Sequence, residues 1–321
     1  MDPRAALADL PTFIALEATS VLTGHRRGAS FPLDLPYLQS VVQAARAYAT
    51  TSGDSERSQR RIECVHQSRL RLQTTQVSVD ELELDPLRET SARIRDVAAQ
   101  LPEVQFLRES YPGDAVVVPE WLRYGRSVEW GLRVYLFRGG EAPAPETVVD
   151  RNLEAVVDGS RSEFEEYQGR LHGYPDCCID AFLERASDDE RPEARSVAPL
   201  ADRIDERALG GSSSIETVLP EFFASDHADA FFAREFFPEP DCETAREMGT
   251  TVFDAMTAHL DTTLVRDFFR LNYAYCYAVA MTLSNASVAA GAGRPGAGDL
   301  AAEHQLWYLP LGTTAAMPRY D

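Results

Sequence analysis

Two stretches, DAVVVPEW (Asp114–Trp121) and VEWGLRVYLF (Val128–Phe137), decide the fold class. Both are dense in Val, Leu and aromatic residues, types that fit a pleated, half-buried surface, and Pro or Gly bounds them. They predict strands. Upstream, QVSVDELELD (Gln76–Asp85) alternates in the same sense and reads as a further strand, with Val77 and Val79, then Leu82 and Leu84, on changing faces. Pro11 to Ala49 reads instead as helical segments interrupted at Phe31-Pro32 and Leu35-Pro36, with Tyr37 to Tyr48 apolar at helical spacing. Ile62 to Leu72 fits helix or strand.

The Gly/Pro-rich stretch RGGEAPAPET (Arg138–Thr147) marks a linker. Past it the texture turns helical. Val149, Leu153, Val156 and Val157 lie on one side of a helix over Val148 to Arg170 that Gly173 stops. Further helices are expected at about Val197–Leu209, Ile215–Phe237 with a break near Asp226, Asp241–Leu260 and Thr262–Leu283, then a loop AAGAGRPGAGD and a short strand HQLWYLPLG. The expected fold class is α+β, with an α+β region over 1–145 and a mainly helical, cysteine-bearing domain over 146–321. Phe222-Phe223, Phe231-Phe232 and Phe236-Phe237 read as core packing between helices.

Composition bounds the function classes. All 31 basic residues are arginine, there is no lysine, and 51 acidic residues bring the formal charge to -20. That balance fits a salt-adapted, halophilic proteome, because concentrated salt screens self-repulsion while carboxylates keep the surface hydrated. It argues only weakly against nucleic acid, which local basic patches can bind. Arg57, Arg60, Arg61, Arg69 and Arg71 form the one basic run of note, set either against phosphate or RNA or, as the favoured reading, against the chain's own carboxylates. No apolar run reaches the roughly 18 residues of a membrane helix, and an acidic residue stands where a signal peptide carries basic ones. The expectation is a cytoplasmic protein with no membrane partner. Five scattered cysteines, Cys64, Cys177, Cys178, Cys242 and Cys276, are not a secreted disulfide framework. Gly291-x-Gly293-x-x-Gly296 has the spacing of a dinucleotide fingerprint but follows a helix and carries Pro295, so it reads as a flexible loop.

The chemistry-bearing residues gather at two junctions. In GYPDCCIDAF (Gly173–Phe182) the glycine allows a tight turn, Tyr174 is pushed out of helical conformation by the following proline, and Pro175 suits the first position of a helix. Cys177 and Cys178 then fall in the first turn, where free N–H groups and the helix dipole favour thiolate. FFPEPDCETAREMG (Phe236–Gly249) repeats the arrangement, with Asp241 as the expected N-cap and Cys242 in the first turn. If the two starts converge, Cys177, Cys178 and Cys242 are metal ligands or redox partners, with His227, Glu239 or His172 completing a shell. Thiolate and imidazole suit zinc, and thiolates suit an iron–sulfur cluster, although the spacing is that of neither a zinc ribbon nor a ferredoxin. In the thiol version Cys177 or Cys178 attacks and Cys242 resolves. A third reading packs the cysteines as small buried side chains under a turn, in a non-catalytic protein- or RNA-interaction module. Cys276 reads as core, and Cys64-x-His66 as a lone pair.

Gly173-Tyr174-Pro175-x-Cys177-Cys178, followed by a Phe-Pro segment ending in Cys242, resembles the signature of a mainly archaeal family known as domain of unknown function 483. The resemblance spans about Leu153 to Leu283 and carries over no activity. In that family the second junction often reads Pro-Cys-x-x-Cys. Here Glu239 follows Pro238, which leaves either an oxygen ligand or a role for three thiols.

Overall fold

Four consecutive residues of the second strand stretch, Val134 to Phe137, are fully buried, which places that strand in the middle of a sheet covered on both faces. The sheet is antiparallel and three-stranded in the order β1-β3-β2, with β1 Gly28–Pro32, β2 Asp114–Tyr124 and β3 Ser127–Phe137. Val117 and Phe31 both stand opposite Val134, and Trp121 faces Trp130. Pro119 and Pro32 lie on the outer strands, where a missing N–H costs no ladder bond on a free edge. The computed structural model describes residues 10–75, 77, 82–124, 127–187, 192, 194–199, 226–273 and 276. The chain divides into two compact units, the first reaching Gly173 and the second beginning at Tyr174.

In the first unit seven helices accompany the sheet among the described residues: α1 Thr12–Leu22, α2 Leu35–Ser52, α3 Ser55–Thr74, α4 Leu84–Ala99, α5 Pro102–Ser110, α6 Pro145–Asp158 and α7 Ser162–His172. The side chain of Asp34 accepts the Tyr37 N–H at 2.8 Å and that of Asp54 accepts the Arg57 N–H at 3.0 Å, so α2 and α3 begin at proper N-caps. Arg61, Val65 and Ser68 are buried along one side of α3, which settles Ile62–Leu72 as helix.

QVSVDELELD is corrected in part. Leu84 and Asp85 open α4, whose buried Leu87, Thr90, Ser91, Ile94 and Ala98 follow a helical period, and Pro86 is tolerated in the first turn. Residues 76 and 78–81 lie outside the described residues. The single helix expected over Val148–Arg170 is two, because Gly159 takes a left-handed φ of 74° and ends α6. α6 and α4 pack on β2, and α7 packs on β1, so both helices that follow the Gly/Pro stretch belong to the sheet's own unit. Asn152 of α6 treats β2 as a neighbouring strand would: its Oδ1 accepts the Trp121 N–H at 2.7 Å and its Nδ2 donates to the Trp121 carbonyl at 3.1 Å. The Trp121 ring nitrogen donates to Ser91 Oγ at 2.9 Å.

A charged group also sits inside this unit. Glu103 is fully buried; its carboxylate accepts from Arg61 on both oxygens and from the Tyr37 hydroxyl at 2.6 Å, and its backbone N–H donates to Ser68 Oγ at 2.9 Å. Arg61 also lies over the Phe106 ring, 3.7 Å from its centroid. Arg60 pairs with Glu56, and Arg71 donates to the Gln100 carbonyl at 2.6 Å. The arginine run is therefore engaged with its own protein at these positions.

The second unit contains α8 Asp176–Ser187, a helical turn over 194–199, a 3₁₀ turn Asp226–Ala230, α9 Glu243–Thr257 and a helix over 262–273. The helix expected over Ile215–Phe237 is not formed in its described part: beyond the 3₁₀ turn, 231–237 is irregular. Tertiary packing overrides helical spacing here. Phe231 stacks on Tyr273 at 4.3 Å between centroids, tilted ring contacts join Phe232 to Phe236 at 4.7 Å and Phe236 to Tyr174 at 4.6 Å, and Asn272 Nδ2 donates to the Phe231 carbonyl at 2.9 Å. The aromatic runs are core, as expected, at Phe231, Phe232 and Phe236. Val197–Leu209 is described only at 197–199. The Gly291–Gly296 loop and HQLWYLPLG lie outside the described residues.

Candidate metal centre

The first arm of the site is the turn at Gly173. Its φ of 75° ends α7, and a Cβ there would stand 2.9 Å from the Arg27 nitrogen, so both conformation and space require glycine. Tyr174 then packs on Phe232 and Phe236, and Pro175 is buried. The Pro175 carbonyl accepts from Cys178 N at 2.9 Å and Ile179 N at 3.1 Å, which makes Pro175 the residue just before the helix rather than its first position. Cys177 and Cys178 become the second and third residues of α8. Successive helical positions point about 100° apart, and the outcome is asymmetric: Cys178 is buried at 3% exposure and Cys177 is exposed.

The second arm differs from expectation by one residue. Cys242, not Asp241, is the N-cap of α9, and its Sγ accepts the Ala245 N–H at 3.4 Å. A sulfur acceptor replaces the usual oxygen in the bond from cap to third helical residue, and Asp241 is left exposed. Upstream the chain closes a turn in which Cys242 N donates to the Glu239 carbonyl at 3.0 Å.

The two arms meet. The sulfurs of Cys177, Cys178 and Cys242 all lie within 4.8 Å of one another, with Cys177 and Cys242 at 3.3 Å. Three donors this close can hold a metal. One tetrahedral ion with Zn–S bonds of about 2.3 Å sets its sulfurs about 3.8 Å apart, which fits the cluster. Thiolates bound to different irons of a polynuclear cluster are held further apart by the cluster itself.

The thiols differ in acidity. Burial raises the Cys177 thiol, and donation to the neighbouring Cys242 raises it further. Burial likewise pushes Cys178 far up, although a hydrogen bond from the Glu239 backbone opposes it. Burial opposes ionisation of Cys242 too, but it is outweighed by hydrogen bonds from the Ala245 amide, from Cys177 and Cys178, and from the Thr244 backbone, so Cys242 lies below the usual thiol range. The favoured thiolate is thus Cys242, the residue that the thiol version cast as resolving partner.

Other sequence-predicted residues fall elsewhere. The Glu239 carboxylate is held by Arg185, at 2.6 and 3.1 Å, and by Arg195 at 3.3 Å, and it does not join the group of converging donors. His227 lies in the Asp226–Ala230 turn, and its side chain is outside the described residues. His172 is buried in the first unit, stacked on Tyr135 with its Nε2 3.0 Å from Ser30 Oγ. Cys64 and His66 stand on different sides of α3, half-buried and exposed, and burial pushes the Cys64 thiol up to about 11. Cys276 is fully buried. Nothing in the sequence distinguishes Arg185 and Arg195 from the other arginines of an acidic chain. No family model, no curated protein and no solved structure matches this chain.

Proposed function

We propose that the triad binds a single thiolate-ligated metal ion, zinc by ligand preference, and that the second unit is organised to present it. The observation that carries this reading is the convergence of three sulfurs within 4.8 Å from two helix starts. Sulfur donors suit zinc, copper(I) or iron, and spacing compatible with one tetrahedral ion supports a mononuclear centre over an iron–sulfur cluster. Metal would gather all three sulfurs as thiolates, removing the burial penalty on the Cys177 and Cys178 thiols by direct charge compensation. Glu239, with its carboxylate on two arginines and its carbonyl accepting from the Cys242 N–H, is read as a residue that positions a ligand. Membership of the family with the GYP-x-CC signature, and salt adaptation from a lysine-free chain of charge -20, are proposed on sequence alone. Titration of the reduced, metal-free chain with zinc tests the metal reading: one equivalent is expected to bind in wild type and none tightly in Cys177→Ser, Cys178→Ser or Cys242→Ser. Unchanged binding in all three variants would rule the triad out.

The 3.3 Å approach of Cys177 and Cys242 favours a second reading, a redox dithiol. The Cys242 thiolate attacks hydrogen peroxide, and the resulting sulfenic acid is attacked by Cys177. A disulfide forms, the pair loses two electrons and two protons, and the peroxide leaves as two waters. Intact mass after peroxide treatment of metal-free protein distinguishes this: loss of two hydrogens, with Cys177 joined to Cys242 in the peptide map, supports it. Sulfinic acid on Cys242 without cross-linking contradicts it.

A further inference from the structure

A zinc-type ion bound by the triad has three protein donors among the described residues and prefers four. Among the described residues no further His, Cys, Asp or Glu joins the group. Glu239, the carboxylate expected from sequence to supply an oxygen, points its side chain at Arg185 and Arg195 instead. One corner of the triad, Cys177, is exposed, so an ion bound there would be reached from solvent on that side. A structural zinc site closes its shell with protein ligands, whereas a catalytic one leaves a position for water or substrate.

We infer that the fourth position takes an exogenous small-molecule thiol, held as a thiolate. This rests on the metal reading above. Three sulfur donors make the ion soft and favour a fourth sulfur over oxygen or nitrogen. Coordination also deprotonates an incoming thiol outright, so the site delivers a nucleophilic sulfur at neutral pH without needing a neighbouring base. The exchange balances simply. Water leaves the ion, the S–H bond of the ligand breaks, a sulfur–metal bond forms, and the proton passes to solvent. The surroundings fit an exchangeable ligand: Cys178 is buried and Cys242 is anchored by the Ala245 backbone, leaving the exposed Cys177 side as the way in.

The test uses the full chain loaded with cobalt(II) and kept reduced by a phosphine. Cobalt bands that vanish in Cys177→Ser, Cys178→Ser and Cys242→Ser report the triad. Titration with 2-mercaptoethanol is expected to shift the visible bands saturably at one equivalent per site and to release one proton, read with a pH indicator. Ethanol should shift nothing, and imidazole should bind at least tenfold more weakly. Bands that depend on the triad but do not move with thiol would overturn the inference while leaving the metal site standing, because the chain would then supply the fourth donor. Imidazole binding as tightly as the thiol would overturn the ligand class. Failure to bind cobalt at all would remove the metal reading, and this inference with it, before any thiol is added.

Discussion

The sulfurs of Cys177 and Cys242 stand 3.3 Å apart although 65 residues separate them in the chain. That distance is well beyond a disulfide bond of about 2.05 Å, and it is shorter than the sulfur–sulfur edge around one ion, about 3.8 Å. A small movement of either helix start therefore leads to a metal site or to a cross-link. Both fates use the same placement, in which α8 and α9 begin at one point.

The acidity order among the three thiols is testable in metal-free protein. Cys242 is held below the usual range by the Ala245 amide and by its thiol neighbours despite burial, while burial raises Cys177 and Cys178. A thiol whose folded pKa is depressed contributes stability above its unfolded value, about 8.5, and the contribution is lost as pH falls through the folded value. Cys178 works the other way: its contribution is present below about 8.5 and is lost as pH rises toward its raised folded value. Pulsed alkylation with peptide mapping should label Cys242 at the lowest pH and Cys178 last. Cys177→Ala should move the Cys242 midpoint upward, since one donor is gone; labelling of Cys177 ahead of Cys242 would refute the order.

Glu239→Gln separates a ligand from a positioning residue. With the carboxylate engaged by Arg185 and Arg195, the variant should keep one zinc per chain and bind it about 10–100-fold more weakly, the usual cost of losing support around a ligand. A loss as complete as that in Cys242→Ser would make Glu239 a ligand.

Gly249→Ala tests the packing beneath the site. A Cβ at Gly249 would stand 1.8 Å from the Asp229 carbonyl oxygen, so α9 and the 3₁₀ turn touch backbone to backbone. The alanine gains helix propensity but should still destabilise by about 1–3 kcal/mol through overpacking. Gly131→Ala, with open space around its Cβ, should stay within about 0.5 kcal/mol of wild type. Denaturant melts compare the two, and equal midpoints for both would contradict the close approach.

Glu103→Ala strands the Arg61 guanidinium inside the first unit, where side-chain exposure of the pair is 7% and 0%. The expected loss is about 3–5 kcal/mol, and the double replacement Arg61→Met with Glu103→Leu should recover part of it, because an apolar pair needs no compensation while the Tyr37 hydroxyl still lacks its acceptor. A double variant less stable than Glu103→Ala would show that the ion pair itself stabilises the unit.

How much of this was readable beforehand follows from range. β2 and β3 announce themselves because Val, Trp, Tyr and Leu are concentrated within each, and the Gly173 stop and both Pro-introduced helix starts are local turn chemistry. β1 is not legible, since GASFP has little strand character and its state comes from pairing with β3. Residues 231–237 carry helical spacing, yet their rings are spent on Tyr273 and Tyr174, partners a sequence pattern does not reveal. Convergence of Cys177, Cys178 and Cys242 was legible only as a possibility, because nothing local says that two helix starts share a point. The direction of the Glu239 side chain was not legible at all, being set by Arg185 on α8 and Arg195 beyond it.

X-ray absorption at the zinc edge of the zinc-loaded chain tests the central claim most directly. One zinc with three protein sulfurs at about 2.3 Å is expected in wild type, and no tightly bound zinc in Cys177→Ser. A spectrum of nitrogen and oxygen neighbours, or a sulfur shell unchanged in Cys177→Ser and Cys242→Ser, would contradict it.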